Sequence, residues 1–182
     1  MRKWFYRLYL RRMARRYDYD TSYLFELLDE SGAAFRRFIR IQQLGGSFSG
    51  GAPRNAWFAA GIAGALVEDC GPCVQIGTDM AVEAGMPPAV IAALLSGAPT
   101  DSEAQLGFDY GGALLTAAPE LDTLRAEVER RWGKKALIGL TLRVMTGRNF
   151  SILKRALGHA QSCQKVRVGT AEIAVAHRAK VA

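Results

Sequence analysis

An all-α domain is the fold class the sequence predicts, on three observations. Apolar residues recur at spacings of three and four from Tyr17 nearly to the end of the chain. Only the tail, with Val166, Val168 and Ile173, hints at extended chain. No internal repeat or low-complexity stretch interrupts the pattern. The chain has 182 residues, which suits one compact domain, or one domain with an extension, and is ample for a core without disulfide staples.

Residues 6–17, drawn as a helix, place Tyr6, Tyr9, Leu10, Met13 and Tyr17 on one side and Arg7, Arg11 and Arg15 on another. Asp20 or Thr21 is placed to cap a helix through Leu28, with Glu26 and Asp29 on its polar side. Gly32 ends it or separates it from a segment carrying Phe35, Phe38 and Ile41. Gly45, Gly46, Ser47, Ser49, Gly50, Gly51 and Pro53 then form the clearest loop. No GxxxxGK motif follows this loop and no strand pattern precedes it, so phosphate binding is not expected there.

Asn55 to Val67 is apolar all round and rich in Ala and Gly, as suits a buried helix approached closely by its neighbours. Val74 to Ala84 and Pro88 to Leu95 read as two helices joined by the turn Gly85-Met86-Pro87. Leu121, Leu124, Val128 and Trp132 make a core-facing stripe stopped by Gly133. Lys135 to Met145, and Phe150 to Ala160 after Gly147, continue in the same manner. Three regions result: an arm over 1–19, a helical domain over 20–165 and a tail over 166–182.

The chain carries 24 Lys and Arg against 17 Asp and Glu, a formal net charge of +7. Arg2, Lys3, Arg7, Arg11, Arg12, Arg15 and Arg16 account for all of it, with no acid among residues 1–17. The remainder is balanced, which argues against a nucleic-acid-binding face spread over the body. The basic aromatic arm suits either adhesion to an anionic membrane surface or acidic partner, or packing on its own body or a neighbouring subunit. No apolar run reaches the roughly 18 to 20 residues of a membrane span, and arginines interrupt the apolar residues at the start where a secretory signal needs an unbroken core. The location expected is cytoplasmic, with peripheral membrane contact through residues 1–17 as an option.

Chemistry points to Cys70-Gly71-Pro72-Cys73. Two thiols separated by two residues can close a disulfide when the first lies at a helix start and the second in its first turn, and Pro72 suits an early helical position. Unpaired N–H groups at the helix start would stabilise a thiolate on Cys70 and make it the nucleophile, with Cys73 as the resolving thiol. Glu68 and Asp69 oppose this as nearby charges, although either could shuttle a proton. The tetrapeptide also occurs in thioredoxins, but there it follows a buried strand, whereas here it follows an Ala-rich helical run. A zinc site would have to draw on Cys163, His159 and His177 without a second CxxC or an HxxxH, and two cysteines that merely pack at a helix start are the plain structural alternative. No metal or other cofactor is expected.

A CxxC at a helix start, preceded by a buried apolar helix and an acid, is followed by Met80-Ala81-Val82-Glu83-Ala84-Gly85-Met86 and a short helix ending Ala92-Ala93-Leu94-Leu95-Ser96-Gly97. This resembles the carboxymuconolactone decarboxylase and AhpD-like alkylhydroperoxidase superfamily over roughly residues 20–165. The likeness is strongest across Trp57 to Gly97, and Arg148-Asn149-Phe150 in a later helix also fits. The resemblance implies an all-helical AhpD-like domain, assembly as a homo-oligomer (trimer or hexamer), and reduction of hydroperoxides by the CxxC with a partner protein as reductant. It also implies that Cys73 is the peroxidatic thiol and Cys70 its resolving partner, the reverse of the electrostatic assignment. The family's proton relay uses a histidine and a glutamate at positions that here hold Gly77 and Phe58.

Of the local substitutes Glu68 is the one expected to serve the thiols, ahead of Asp69 and Gln75, while Tyr110 and Arg148 could reach the site only through folding. The catalytic residues expected are therefore Cys70, Cys73 and Glu68. The decarboxylase branch leaves the paired thiols unexplained. Two functions follow: a thiol-dependent oxidoreductase acting on a hydroperoxide or a protein disulfide, or a non-catalytic oligomeric interaction module whose basic arm binds a membrane or partner.

Overall fold

A computed structural model describes residues 2–161 and 165–176 of the chain. Among these, helices α1 (Arg2–Tyr17), α2 (Ser22–Glu30), α3 (Gly32–Gly46), α4 (Arg54–Val67), α5 (Gly71–Glu83), α6 (Pro88–Leu95), α7 (Ser102–Thr116) and α8 (Leu121–Ala156) precede a hairpin of β1 (Lys165–Val168) and β2 (Ala171–Ala174). The fold is all-α with a small antiparallel annex, in which Val166 pairs with Ile173 and Val168 with Ala171.

The core is built around α4, whose residues from Ala59 to Leu66 are all buried. Its Ala and Gly content lets α7 and α8 approach backbone to backbone. A Cβ added at Gly107 of α7 would lie 2.2 Å from the Ala56 carbonyl oxygen, and one at Gly147 of α8 would lie 2.7 Å from that of Gly61. Close helix packing of this kind requires the missing side chains. Gly147 therefore does not separate two helices, as the sequence suggests, but lies within α8 at its crossing with α4. The expected break at Gly133 is present: its φ of 81° and ψ of 167° are not helical, so two helical segments meet there.

Helix α7 has no counterpart in the sequence reading, because small residues dilute its apolar stripe: its buried face includes Ala104, Gly107, Gly111 and Ala113. Its start is conventional, with the Asp101 carboxylate accepting hydrogen bonds from the backbone N–H groups of Glu103 (3.0 Å) and Ala104 (2.8 Å). Gly32 proves to be the first residue of α3 rather than a terminator, and Ser31 caps that helix by accepting from the Ala34 N–H at 3.2 Å. The Gly-rich loop lies against α8, so closely that a Cβ at Gly50 would overlap the Lys135 carbonyl.

The arm packs on its own body. Leu10 is fully buried, Tyr6 meets Phe35 edge-on with ring centroids 5.0 Å apart, and Arg7 and Arg16 form ion pairs with Asp29 of α2 and Glu83 of α5. Tyr17 also donates from its hydroxyl to Glu83. Trp4, Phe5, Leu8 and Tyr9 remain exposed. No described helix is long and apolar enough to cross a membrane.

The hairpin closes over α5. Val166 and Val168 are buried in the cluster that also holds Cys70 and Cys73. Gln75 clamps β1 with both ends of its amide, donating to the Arg167 carbonyl at 2.8 Å and accepting from the Arg167 N–H at 2.7 Å.

Candidate dithiol site

The chain reverses direction between α4 and α5 within three residues. The Asp69 N–H donates to the Leu66 carbonyl at 2.9 Å and the Cys70 N–H to that of Ala65 at 3.3 Å. Asp69 takes a left-handed φ of 49° to make the turn. Cys70 follows in extended backbone as the N-cap of α5, and Pro72 occupies an early position in that helix where no backbone N–H is needed.

This arrangement places Cys73 in the first turn, and the two cysteines form a disulfide with Cα atoms 5.2 Å apart. Both are buried. The Gly71 N–H, one of the donors at the helix start, is taken by the Gln161 carbonyl at 3.0 Å.

The two sulfurs differ in what they face. Cys73 lines a cavity of about 210 Å³ with Tyr19 and Tyr23 of the α2 region, Ile76 and Met80 of α5, Arg143 and Phe150 of α8, and others; Cys70 does not line it. Gly77 also borders this space. Phe58 packs under Arg143, whose guanidinium carbon lies 5.4 Å from the Phe58 ring centroid. A larger and more open hollow of about 390 Å³ among α4, α7 and the start of α8 contains no thiol.

Beside Cys73 stands a buried group of polar side chains. The Tyr19 hydroxyl lies 4.0 Å from Cys73 Sγ and 3.0 Å from the Tyr23 hydroxyl. Lys154 Nζ, buried and without a hydrogen-bond partner, sits 4.3 Å from the Tyr19 ring centroid and 4.9 Å from that of Tyr23. Burial pushes the Tyr19 phenol up to about 12 and the Tyr23 phenol higher still. Burial also lowers the Lys154 ammonium. Both phenols therefore keep their protons at neutral pH and can donate a hydrogen bond.

Glu68 is differently occupied. Its buried carboxylate is held by Arg148 and, at 2.9 Å, by Arg155, which also donates to the Glu68 backbone carbonyl. It does not line the Cys73 cavity. The geometry makes Glu68 a tie between the α4–α5 turn and α8.

Gln75 is spent on β1, and Asp69 is exposed on the turn. Tyr110 bonds the Thr141 hydroxyl at 2.7 Å within a separate apolar cluster. His159 shares both ring nitrogens, with Ser22 at 3.0 Å and Glu26 at 2.9 Å. Cys163 and His177 lie outside the described residues. Among the described residues no group of three or more His, Cys, Asp or Glu side chains is arranged to hold a metal ion.

Tyr19, Tyr23 and Arg143, which border the Cys73 cavity, and Lys154, which lies against the two tyrosines, escape the sequence reading because the fold gathers them across dozens of intervening residues. The one local trace is Gly61, bare where the Arg143 guanidinium lies against α4. No protein-family model, curated protein or solved structure matches the chain.

Proposed function

We propose that the chain is a thiol-dependent oxidoreductase of AhpD-like type, in which Cys70 and Cys73 reduce a hydroperoxide or a disulfide and are themselves re-reduced by an external dithiol. The observation that carries this reading is the asymmetry of the pair: Cys73 faces a cavity while Cys70 is enclosed behind it. A substrate entering that cavity meets Cys73 first. This favours Cys73 as the attacking thiol, as the family resemblance implies, over the assignment from helix electrostatics alone.

In the reduced protein the Cys73 thiolate attacks the terminal oxygen of a hydroperoxide. The O–O bond breaks, Cys73 becomes a sulfenic acid, and the departing alkoxide takes a proton to become an alcohol. Tyr19, with its hydroxyl 4.0 Å from the sulfur, is the nearest proton donor. The Cys70 thiolate then attacks the Cys73 sulfur, the S–O bond breaks and water leaves once its oxygen is protonated. Two electrons pass from the thiols to the peroxide, and thiol–disulfide exchange with an external dithiol restores the start.

The reduced chain has three titratable thiols, since it contains three cysteines. Stoichiometric peroxide should leave one thiol, with a mass loss of two hydrogens, and Cys70→Ser and Cys73→Ser should each abolish the disulfide. A thiol count unchanged by peroxide and by a small disulfide would refute the redox reading. It would also favour the interaction-module reading, which the exposed Trp4, Phe5, Leu8 and Tyr9 of the basic arm support independently.

A further inference from the structure

The cavity beside Cys73 contains polar groups that the thiol chemistry does not use. Gln42 of α3 lines it, is 9% exposed, and presents both amide atoms, Nε2 and Oε1, without a hydrogen-bond partner. Arg143 of α8 lines it too, and its buried Nε is likewise unpartnered. Buried polar groups without partners are uncommon, and each left so costs about 1–3 kcal/mol. The Gln42 amide, with the Arg143 cation on the same cavity wall, marks a place prepared for something else.

The Arg143 position is built. A Cβ at Gly61 would stand 2.5 Å from Nε and 3.0 Å from the guanidinium carbon, so the helix is left bare for it. Trp57 holds the other side, with its ring centroid 4.2 Å from that carbon. Burial lowers the guanidinium to about 10, which leaves it cationic at neutral pH.

The charge has no carboxylate partner among the ion pairs of the described residues. Arg143 also lines an outer cleft of about 460 Å³ with Tyr17, Trp57 and Met80, so it stands where the two hollows adjoin. The other side chains bordering the inner space include Met13, Ile76, Met80 and Phe150, which suit an apolar body.

We infer that this cavity binds an organic carboxylate, its head on Arg143 and the Gln42 amide N–H and its apolar body toward the methionine and aromatic wall. Resting on the redox reading, the substrates of Cys73 are then hydroperoxides that carry a carboxylate. A carboxylate matches a cation and two N–H donors in a way that a neutral hydroperoxide cannot. The volume suits a short chain or single ring.

Octanoate and octanol serve as inert probes on the full-length oxidised protein, followed by calorimetry and by tryptophan fluorescence, since Trp57 stacks on Arg143. Octanoate should bind saturably and octanol at least tenfold more weakly. Arg143→Met and Gln42→Leu should each weaken octanoate at least tenfold with little effect on octanol. Using both variants guards against misfolding of either one, with helix content measured alongside.

Equal affinity for the two probes, or no loss in a folded variant, overturns the inference. Absence of octanoate binding in a protein whose dithiol still responds to hydrogen peroxide also overturns it, leaving the cavity to ordered water. Octanoate binding that depends on Arg143, in a protein whose thiols resist every peroxide and small disulfide, supports the site and removes the redox reading alone.

Discussion

Tyr19 is the residue at which the site's chemistry is easiest to test. Its hydroxyl stands beside Cys73 Sγ and its phenol is pushed from 10.0 to about 12 by burial. Tyr19→Phe should slow peroxide oxidation of the reduced protein by roughly a hundredfold, the lower end of what a positioned proton donor contributes. It should leave oxidation by a small disulfide much less affected, because a thiolate leaving group needs less help. A protonated phenol favoured by the fold also stabilises it only while protonated: that contribution is complete below pH 10.0 and fades as pH rises through about 12. Wild type should therefore lose more stability across this window than Tyr19→Phe, as denaturant titrations at several pH values would reveal.

Glu68 supplies the opposite contrast. If it is a tie rather than a proton carrier, Glu68→Gln should cost about 1–2 kcal/mol of stability, since the arginines it releases can be hydrated. The rate of dithiol oxidation should change by no more than a few fold. A rate loss comparable to that of Tyr19→Phe, with stability intact, would return Glu68 to the catalytic role that its position next to the thiols suggests in the sequence.

At the level of elements, the α4–α7 crossing provides an internal control. Gly107 meets the Ala56 backbone, whereas a Cβ at Gly112 of the same helix would meet nothing within 4 Å. Gly107→Ala should destabilise the protein by about 2–3 kcal/mol or prevent folding. Gly112→Ala should stabilise it by about 0.5–1 kcal/mol through helix propensity. Thermal denaturation of the two variants gives opposite signs if the crossing is as described.

Much of this level is legible in sequence. The CxxC at the start of α5, the buried Ala-rich α4, the break at Gly133 and the extended tail follow from spacing and from Pro and Gly. What is not legible is contact at a distance. Gly147 looks like a helix breaker until Gly61 is seen against it, and α7 has too few large apolar residues to announce its buried face. The two cysteines can be found from their spacing, but which of them faces the cavity depends on α2 and α8, far along the chain.

The whole molecule presents surface that its own fold leaves uncovered. Ile138, Met145 and Ile152 recur at seven-residue intervals along α8 and are all exposed. Such a stripe suits a second copy of the chain, as the homo-oligomer expected from the sequence would require. Sedimentation should show an assembly larger than a monomer, and Met145→Lys should shift it toward monomer; a wild-type monomer at micromolar concentration would remove the idea.

The basic arm poses a separate question, because its inner stripe is already committed to α2 and α3 while Trp4, Phe5 and Leu8 stay exposed and Tyr9 borders the Cys73 cavity. Binding to anionic vesicles should fall on substitution of Trp4 and Phe5 by serine, with the fold unchanged. Equal flotation of the variant and wild type would confine the arm to packing.

The proposed chemistry depends on Cys73 being the thiol that meets substrate. Trapping of sulfenic acid with a diketone reagent, located by peptide mass spectrometry after peroxide treatment of the two variants that each keep one cysteine of the pair, tests this directly. Cys70→Ser should yield an adduct on Cys73, and Cys73→Ser should yield none on Cys70. An adduct on neither cysteine, or equal and equally rapid labelling of both, would contradict the account.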